Sequence, residues 1–345
     1  MGRAAHRLCH TGCHLFQLTF SKVIKNFLSA LLAASLMAQS ALAQTDAFPS
    51  KPIRIIASTS PGGLTDLLAR NLGRLMSESL GQQVVVENRA GAAGLIAADL
   101  VAKSAPDGYT LLMGESALLI AKVLQPKMPL DPLTQFQPIV GTFVSPLVIV
   151  TGNDFPAKTP GELVSLLKAN PGRYSFATSG VGTVQHLGFE MLKQATGSFV
   201  VHIPYRGAAQ IVPDVISGQV PIGVVSATAA LSQSRAGRLR ALTLMSPARV
   251  EGAENVPPLA QALPGFDVAP RLFLLAPAGT PAEIVNKLSA AVKTLLEMPE
   301  VGAAASAQGT VRAYLGPGEL AKEMADESAR WKRIVTEQRI TAEAN

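Results

Sequence analysis

Few residues of this 345-residue chain have side chains suited to covalent chemistry, and their spacing suits it poorly. Five ligand-type residues crowd together at the start, His6, Cys9, His10, Cys13 and His14, at a helical spacing that suggests zinc. They lie in a segment read below as removed on export, and no partner ligands follow downstream. The mature chain then keeps only His186 and His202. A hydrolase would have to pair one of them with Ser60 or Ser179, yet the chain has no Gly-x-Ser-x-Gly elbow. His186 stands a few residues inside a helix, where it packs or caps. His202 stands on a strand beside Pro204, as core or cleft wall. Gly180-Val181-Gly182 is not a dinucleotide fingerprint, because Gln185 occupies the place of the third glycine. No catalytic group, metal or cofactor is expected. The chemistry that the sequence does offer is anion binding by backbone N–H groups and hydroxyls.

Two stretches carry it. Ile53, Ile55, Ile56 and Ala57 form a β-branched run typical of a buried strand. Pro61-Gly62-Gly63 breaks the run, and Leu64, Leu67, Leu68, Leu72 and Leu75 then follow at helical spacing, with Thr65 or Asp66 placed as N-cap. A strand therefore aims its carboxyl end at a helix whose unpaired N–H groups face a glycine-lined gap, which is either an anion cradle or an ordinary βα turn. Tyr174 to Thr178 repeats the pattern: a strand, then Ser179-Gly180-Val181-Gly182-Thr183, then a helix from about Val184. The two turns are either opposing jaws around one anion or unrelated.

The elements around them follow a regular alternation. Gln83 to Arg89 reads as a strand, Leu95 to Ser104 as an alanine-rich helix and Tyr109 to Gly114 as a third strand, the pattern of a mostly parallel α/β sheet whose ligands bind beyond the strand carboxyl ends. Residues 125–137, with three prolines, read as a loop. Val144 to Val150 is a strongly apolar strand. Thr159-Pro160-Gly161-Glu162 is a helix start with a capping box. Further strands are expected at Val220 to Val225, Leu239 to Met245 and Val268 to Leu275, and helices at Ala282 to Glu297 and Gly318 to Glu337.

Charged residues make up 16% of the chain, below the roughly 25% of average domains. Part of the deficit is N-terminal, where Arg3, Arg7, Lys22 and Lys25 precede an apolar core from Phe27 to Ala38 and the small-x-small site Ala41-Leu42-Ala43. That is the pattern of a cleaved signal peptide over residues 1–43, with Gln44 as first mature residue; the alternative is an uncleaved anchor, for which the core is short. Cleavage takes the formal charge from +6 to about +2 and removes both cysteines. The basic balance then belongs to the leader, and nucleic-acid binding is not expected.

Six motifs, in order and spacing, identify a resemblance: Pro-x-Lys-Pro-Ile-Arg before the first strand; Pro61-Gly62-Gly63-x-Thr65-Asp66; Val84-Val85-Val86-Glu87-Asn88-Arg89-x-Gly91; Pro106-Asp107-Gly108-Tyr109-Thr110-Leu111-Leu112; Pro204-Tyr205-Arg206-Gly207; and Leu275-Ala276-Pro277-Ala278-Gly279-Thr280-Pro281. Over almost the whole mature chain they resemble the Bug family of periplasmic solute receptors of tripartite tricarboxylate transporters. The resemblance implies an α/β, two-domain periplasmic-binding-protein fold of type II-like form, with a ligand cleft between domains and two crossing strands as hinge. Domain 1 would be residues 44–146 and 271–345, and domain 2 residues 147–270. The ligand-binding residues it implies are Ser58, Ser60, Gly62, Gly63, Thr65 and Asp66 on the first turn, Ser179, Gly180, Gly182 and Thr183 on the second, and Tyr205, Arg206 and Ser226.

Three segments depart from the family pattern. Glu115-Ser116-Ala117-Leu118 replaces a threonine, small residues and a histidine; Val225-Ser226-Ala227-Thr228 replaces an aspartate-asparagine pair; and Arg271-Leu272-Phe273 replaces Trp-Phe-Gly. Arg271 is either a second carboxylate contact or, as favoured here, a solvent-facing hinge residue, and Glu115 holds a ligand ammonium or is simply solvated. The resemblance implies a non-enzymatic, monomeric periplasmic receptor that binds a small carboxylate and serves membrane permease subunits. A ligand sensor feeding a signalling partner and an exported hydrolase are the competing readings.

Overall fold

The computed structural model describes residues 48–205 and 210–341. The leader, its histidine–cysteine cluster and Arg206 lie outside the described residues. The first strand, β1 (Ile53–Ala57), is the apolar run expected, and α1 (Leu64–Leu80) follows it. The N-cap is Gly63 rather than Thr65 or Asp66, which fall within the first turn. Strand β2 (Val84–Asn88), a short 3-10 turn at Ala92–Gly94, α2 (Leu95–Ala102) and β3 (Thr110–Glu115) complete the opening βα units, and β1 pairs in parallel with both β2 and β3. Helix α3 (Ala117–Leu124) follows β3 after a single intervening residue.

The expected strand from Val144 to Val150 is two strands. β4 (Phe136–Val144) and β5 (Leu147–Thr151) belong to different sheets, separated by Ser145-Pro146, since proline supplies no N–H for a continuing ladder. The second sheet continues through α4 (Pro160–Ala169), β6 (Ser175–Thr178), α5 (Val184–Thr196), β7 (Val201–Pro204), α6 (Ile211–Ile216), β8 (Ile222–Ser226), α7 (Ala227–Arg235) and β9 (Arg240–Leu244). Of the capping box expected at α4 the N-cap half forms, the Thr159 hydroxyl accepting the Glu162 N–H at 3.2 Å, while the Glu162 carboxylate reaches one residue further back and accepts the Lys158 N–H at 2.6 Å. The chain then returns to the first sheet as β10 (Arg271–Pro277), followed by α8 (Ala282–Glu297), α9 (Pro299–Ala307), β11 (Val311–Leu315) and α10 (Pro317–Glu337).

Both sheets are mixed rather than mostly parallel. The first has the order β11-β4-β10-β3-β1-β2 and the second β7-β6-β8-β5-β9. The antiparallel members are β10 and the edge strand β11 in the first sheet and β5 in the second. β10, antiparallel to β3 and β4, and β5, antiparallel to β8 and β9, are the strands by which the chain enters each sheet from the other. The two crossings lie side by side, where the Ser145 N–H donates to Pro270 O at 2.8 Å. A third link is α10. Its Leu320 and Met324 pack in the core of the first sheet with Ile56, Leu112 and Phe273, and its Trp331 and Ile334 in that of the second with Phe176, Phe189 and Leu242.

Candidate functional site

A cavity of about 1130 Å³ opens where the two sheets face each other. The end of β3 and helix α3 supply Glu115, Ala117, Ile120, Ala121, Leu124 and Gln125, and the loop after β2 supplies Ala93. The crossings add Ser145, Leu147 and Pro270. The second sheet supplies the whole turn from Ser179 to Gln185, with Pro204, Tyr205 and Ser226.

The β6–α5 turn is built to leave donors free. Gly180 and Gly182 take left-handed φ of 137° and 76°, which only glycine adopts without strain. Thr183 caps α5: its hydroxyl accepts the His186 N–H at 3.3 Å and donates to Gly180 O at 2.9 Å. The Gly182 N–H is taken by His186 Nδ1 at 3.2 Å. The N–H groups of Val181, Thr183, Val184 and Gln185, all on the cavity wall, have no acceptor among the described residues. Unpaired N–H groups at a helix N-terminus are able to receive an anion. Ser179 Oγ is held by Gln185 Oε1, and the Ser226 hydroxyl caps α7 by accepting the Ala229 N–H at 3.4 Å. The Tyr205 hydroxyl donates to Asp214, and burial together with that bond pushes its pKa up to about 12.

Behind the turn the two histidines stack on each other with ring centres 3.8 Å apart, continuing a pile that includes Phe176 and Phe189. His202 Nε2 lies 2.6 Å from the Thr178 hydroxyl. Burial, then the neighbouring His202 and Lys193, drives the pKa of His186 down to about 3; burial, then Lys193, takes His202 to about 4. Both rings are therefore neutral at pH 7. His186 Nε2 lies 3.7 Å from Glu190, whose carboxylate is instead held by Lys193 at 2.7 Å. Among the described residues neither Ser60 nor Ser179 hydrogen-bonds a histidine, so the pairing that a hydrolase needs is not assembled.

The first turn is differently furnished. None of Ser58, Ser60, Gly62, Gly63, Thr65 and Asp66 lines the cavity. The Asp66 carboxylate is 2% exposed and accepts the Gly62 N–H at 2.9 Å, Asn88 Nδ2 at 2.8 Å and Arg70 Nε at 2.9 Å. Burial works against ionisation there, and the bonds from Gly62, Asn88 and Arg70 outweigh it, holding the pKa below the usual carboxylate range. The first turn thus carries its own anion on the Gly62 N–H. The N–H groups of Leu64, Thr65 and Asp66 also have no acceptor among the described residues, but they lie off this cavity's wall, whereas those of the second turn lie on it. Of the sequence-predicted residues the cavity gathers Ser179, Gly180, Gly182, Thr183, Tyr205 and Ser226.

Sequence reasoning missed the contribution of α3, which packs against the second turn so closely that a Cβ added at Gly182 would sit 2.3 Å from Leu124 Cδ1. The available signal was Glu115-Ser116 ending an apolar strand, a third strand-to-helix turn. Glu115 is on the cavity wall, with its pKa raised by burial. Arg271 is not on that wall: it lines a separate cavity of about 250 Å³ with Asp267, Glu323, Glu327 and Arg330, and donates to Ala313 O at 3.1 Å. The Ser116 hydroxyl accepts the Arg271 N–H at 3.0 Å and donates to the buried Glu327 at 3.1 Å, which also accepts Trp331 Nε1 at 3.0 Å. No described helix is long and apolar enough to cross a membrane.

Known proteins share this architecture. BugT of Bordetella pertussis is 37% identical over 295 residues, covering 85% of this chain and 90% of BugT. A TctC solute binding protein from Polaromonas superposes with a TM-score of 0.75 at 29% identity, over 84% of this chain and 99% of that one. MatC from Rhodopseudomonas palustris, solved with bound malate, gives 0.65 at 30% identity, over 84% of this chain and all (100%) of that one. Residues 68–340 match the profile of the tripartite tricarboxylate transporter family receptor, TctC. The chain belongs to that family of solute-binding receptors, with their two-domain periplasmic-binding-protein fold.

Proposed function

We propose that this protein is an exported receptor that captures a small carboxylate in the cavity between its two sheets and presents it to the membrane permease subunits of a tripartite tricarboxylate-type transporter. The observation that carries the reading is the set of N–H groups of Val181, Thr183, Val184 and Gln185 on the cavity wall, acceptor-free among the described residues. They match a carboxylate in charge and number, and a neutral ligand would leave several of them unpaired. Malate bound in MatC supports the ligand class. Ser179, Gly180, Gly182, Thr183, Tyr205 and Ser226 form the proposed ligand wall, and the first turn anchors its lobe. Residues 44–146 with 271–345 form one domain and 147–270 the other. The side-by-side crossings act as the hinge that converts ligand contact into closure. Residues 1–43 are the export signal, and the mature receptor is a periplasmic monomer without catalytic activity.

The test is a thermal-shift screen of the mature chain from Gln44 against small carboxylates, each beside its uncharged amide. A higher melting temperature with an acid and not with its amide is the expected result, because a ligand bound by the folded state alone stabilises it by mass action. Equal shifts with acid and amide, or none across the panel, would sink the proposal.

A further inference from the structure

Glu115 is the one charged side chain among the described residues that line the cavity. It ends β3, paired in register with Leu272 of β10, and its neighbours on the wall include the apolar Ala117, Ile120 and Leu124. Among the described residues its carboxylate has neither a hydrogen-bond donor nor a cation. Glu115 is half-buried at the cavity, and the contrast is with the carboxylates that are buried outright: Asp66 has Gly62, Asn88 and Arg70, Glu190 has Lys193, and Glu327 has Ser116 and Trp331. A half-buried carboxylate without a partner gains from a cationic group that enters the cavity and completes it. The wall thus offers complements to opposite charges, acceptor-free N–H groups on the second turn and an unpaired acceptor at β3.

Resting on the carboxylate-receptor reading above, we infer that Glu115 is the specificity residue of the cavity and selects a ligand that carries a protonated amine as well as a carboxylate. The carboxylate occupies the Val181–Gln185 turn, and the ammonium donates to Glu115 in a charge-assisted hydrogen bond. A dicarboxylate of the same length brings a second negative charge to Glu115, which no described lining side chain offsets, so the same residue rejects it.

The experiment is calorimetric titration of the mature chain with α- and ω-amino monocarboxylates of two to six carbons. Each is set beside its des-amino acid, its decarboxylated amine and the dicarboxylate of equal length. The amino acid of best-fitting length is expected to bind at least about tenfold more tightly than its des-amino partner and its dicarboxylate, a difference of about 1.4 kcal/mol. Glu115→Gln abolishes that preference and improves dicarboxylate binding. Glu115→Asp, which keeps the charge, retains a preference. Folding of each variant is checked by its melt without ligand, and Glu115→Gln is expected to melt no lower than wild type. Wild type that favours the dicarboxylate, or a Glu115→Gln variant with an unchanged amino-to-des-amino ratio, overturns this inference and leaves the carboxylate receptor standing. An amine that binds as well as its amino acid overturns the carboxylate reading while the role of Glu115 survives. No binding by any member overturns both.

Discussion

The Gly182 N–H donates to His186 Nδ1 across 3.2 Å, and this bond requires the neutral imidazole. Protonation would place a second donor against the first, inside a shell made of His202, Lys193, Phe176 and Glu190. With a folded pKa near 3 against an ordinary 6.5, His186 stays neutral while the unfolded chain takes up a proton. Its contribution is therefore intact above pH 6.5 and is lost as pH falls toward 3, at about 1.4 kcal/mol per pH unit. Glu115, Glu190 and Glu327, with raised pKa values, tilt the curve the other way, so the prediction concerns a difference. Urea melts at pH 7.0, 6.0 and 5.0 should show wild type losing stability relative to His186→Gln, whose amide oxygen still accepts the Gly182 N–H without titrating. Parallel curves would show that His186 does not titrate as described.

Asp66 performs the same reach-back on the first turn, with a charge. Asp66→Ala leaves the Gly62 N–H, Asn88 and Arg70 short of an acceptor and should cost about 3 kcal/mol in urea denaturation. Because Asp66 is off the cavity wall, the affinity for a carboxylate ligand should change by no more than roughly twofold. A large loss of affinity in a variant that remains folded would put the first turn back in the site.

Gly182 is held by both conformation and contact. Gly182→Ala places a Cβ at φ 76° and 2.3 Å from Leu124 Cδ1, and should destabilise by about 2 kcal/mol. Leu124→Ala in the same chain should recover the steric part, giving a coupling of about 1 kcal/mol in a double-mutant cycle. Strict additivity would mean that α3 and the second turn do not touch in solution.

Glu327 ties α10 to the residue that follows Glu115. Glu327→Ala strands the Ser116 hydroxyl and the Trp331 indole N–H and should cost about 3 kcal/mol, whereas Glu327→Gln, which retains an acceptor for Trp331, should cost less than about 1 kcal/mol. Trp331 is the chain's single tryptophan and is buried, so its emission reports the change directly. Alanine should shift the folded-state emission to the red and glutamine should leave it in place.

Where small residues punctuate an apolar run, the sequence was readable. Ile53–Ala57, Ser175–Thr178 and the Gly180–Thr183 turn all lie where their residue types put them. β4 was hidden because Pro138 and Gly141 interrupt Phe136–Val144, and because its neighbours β10 and β11 come from far along the chain. β11, Val-Arg-Ala-Tyr-Leu, alternates over only five residues and is a partly exposed edge, too short a pattern to stand out. The two turns looked alike in sequence and differ in what fills them. A carboxylate four residues past Gly62 takes that N–H in one turn, and a neutral imidazole four residues past Gly182 takes it in the other, so one turn carries a charge and the other does not. Nothing in the residue types of Asp66 and His186 told that both would reach back, since Asp66 is set by Asn88 and Arg70 and His186 by the His202 stack.

The place of β10 in the first sheet has a temporal side. It lies between β3 and β4, more than a hundred residues after both, so β3 has an open edge until Arg271–Pro277 is available to pair. The second sheet, by contrast, draws all its strands from Leu147–Leu244 and has its full complement before β10 emerges. The order of assembly is thus inside out: the middle of the polypeptide matures first, and the two ends wait for each other. A chain wired this way closes its longest loop last, which slows folding.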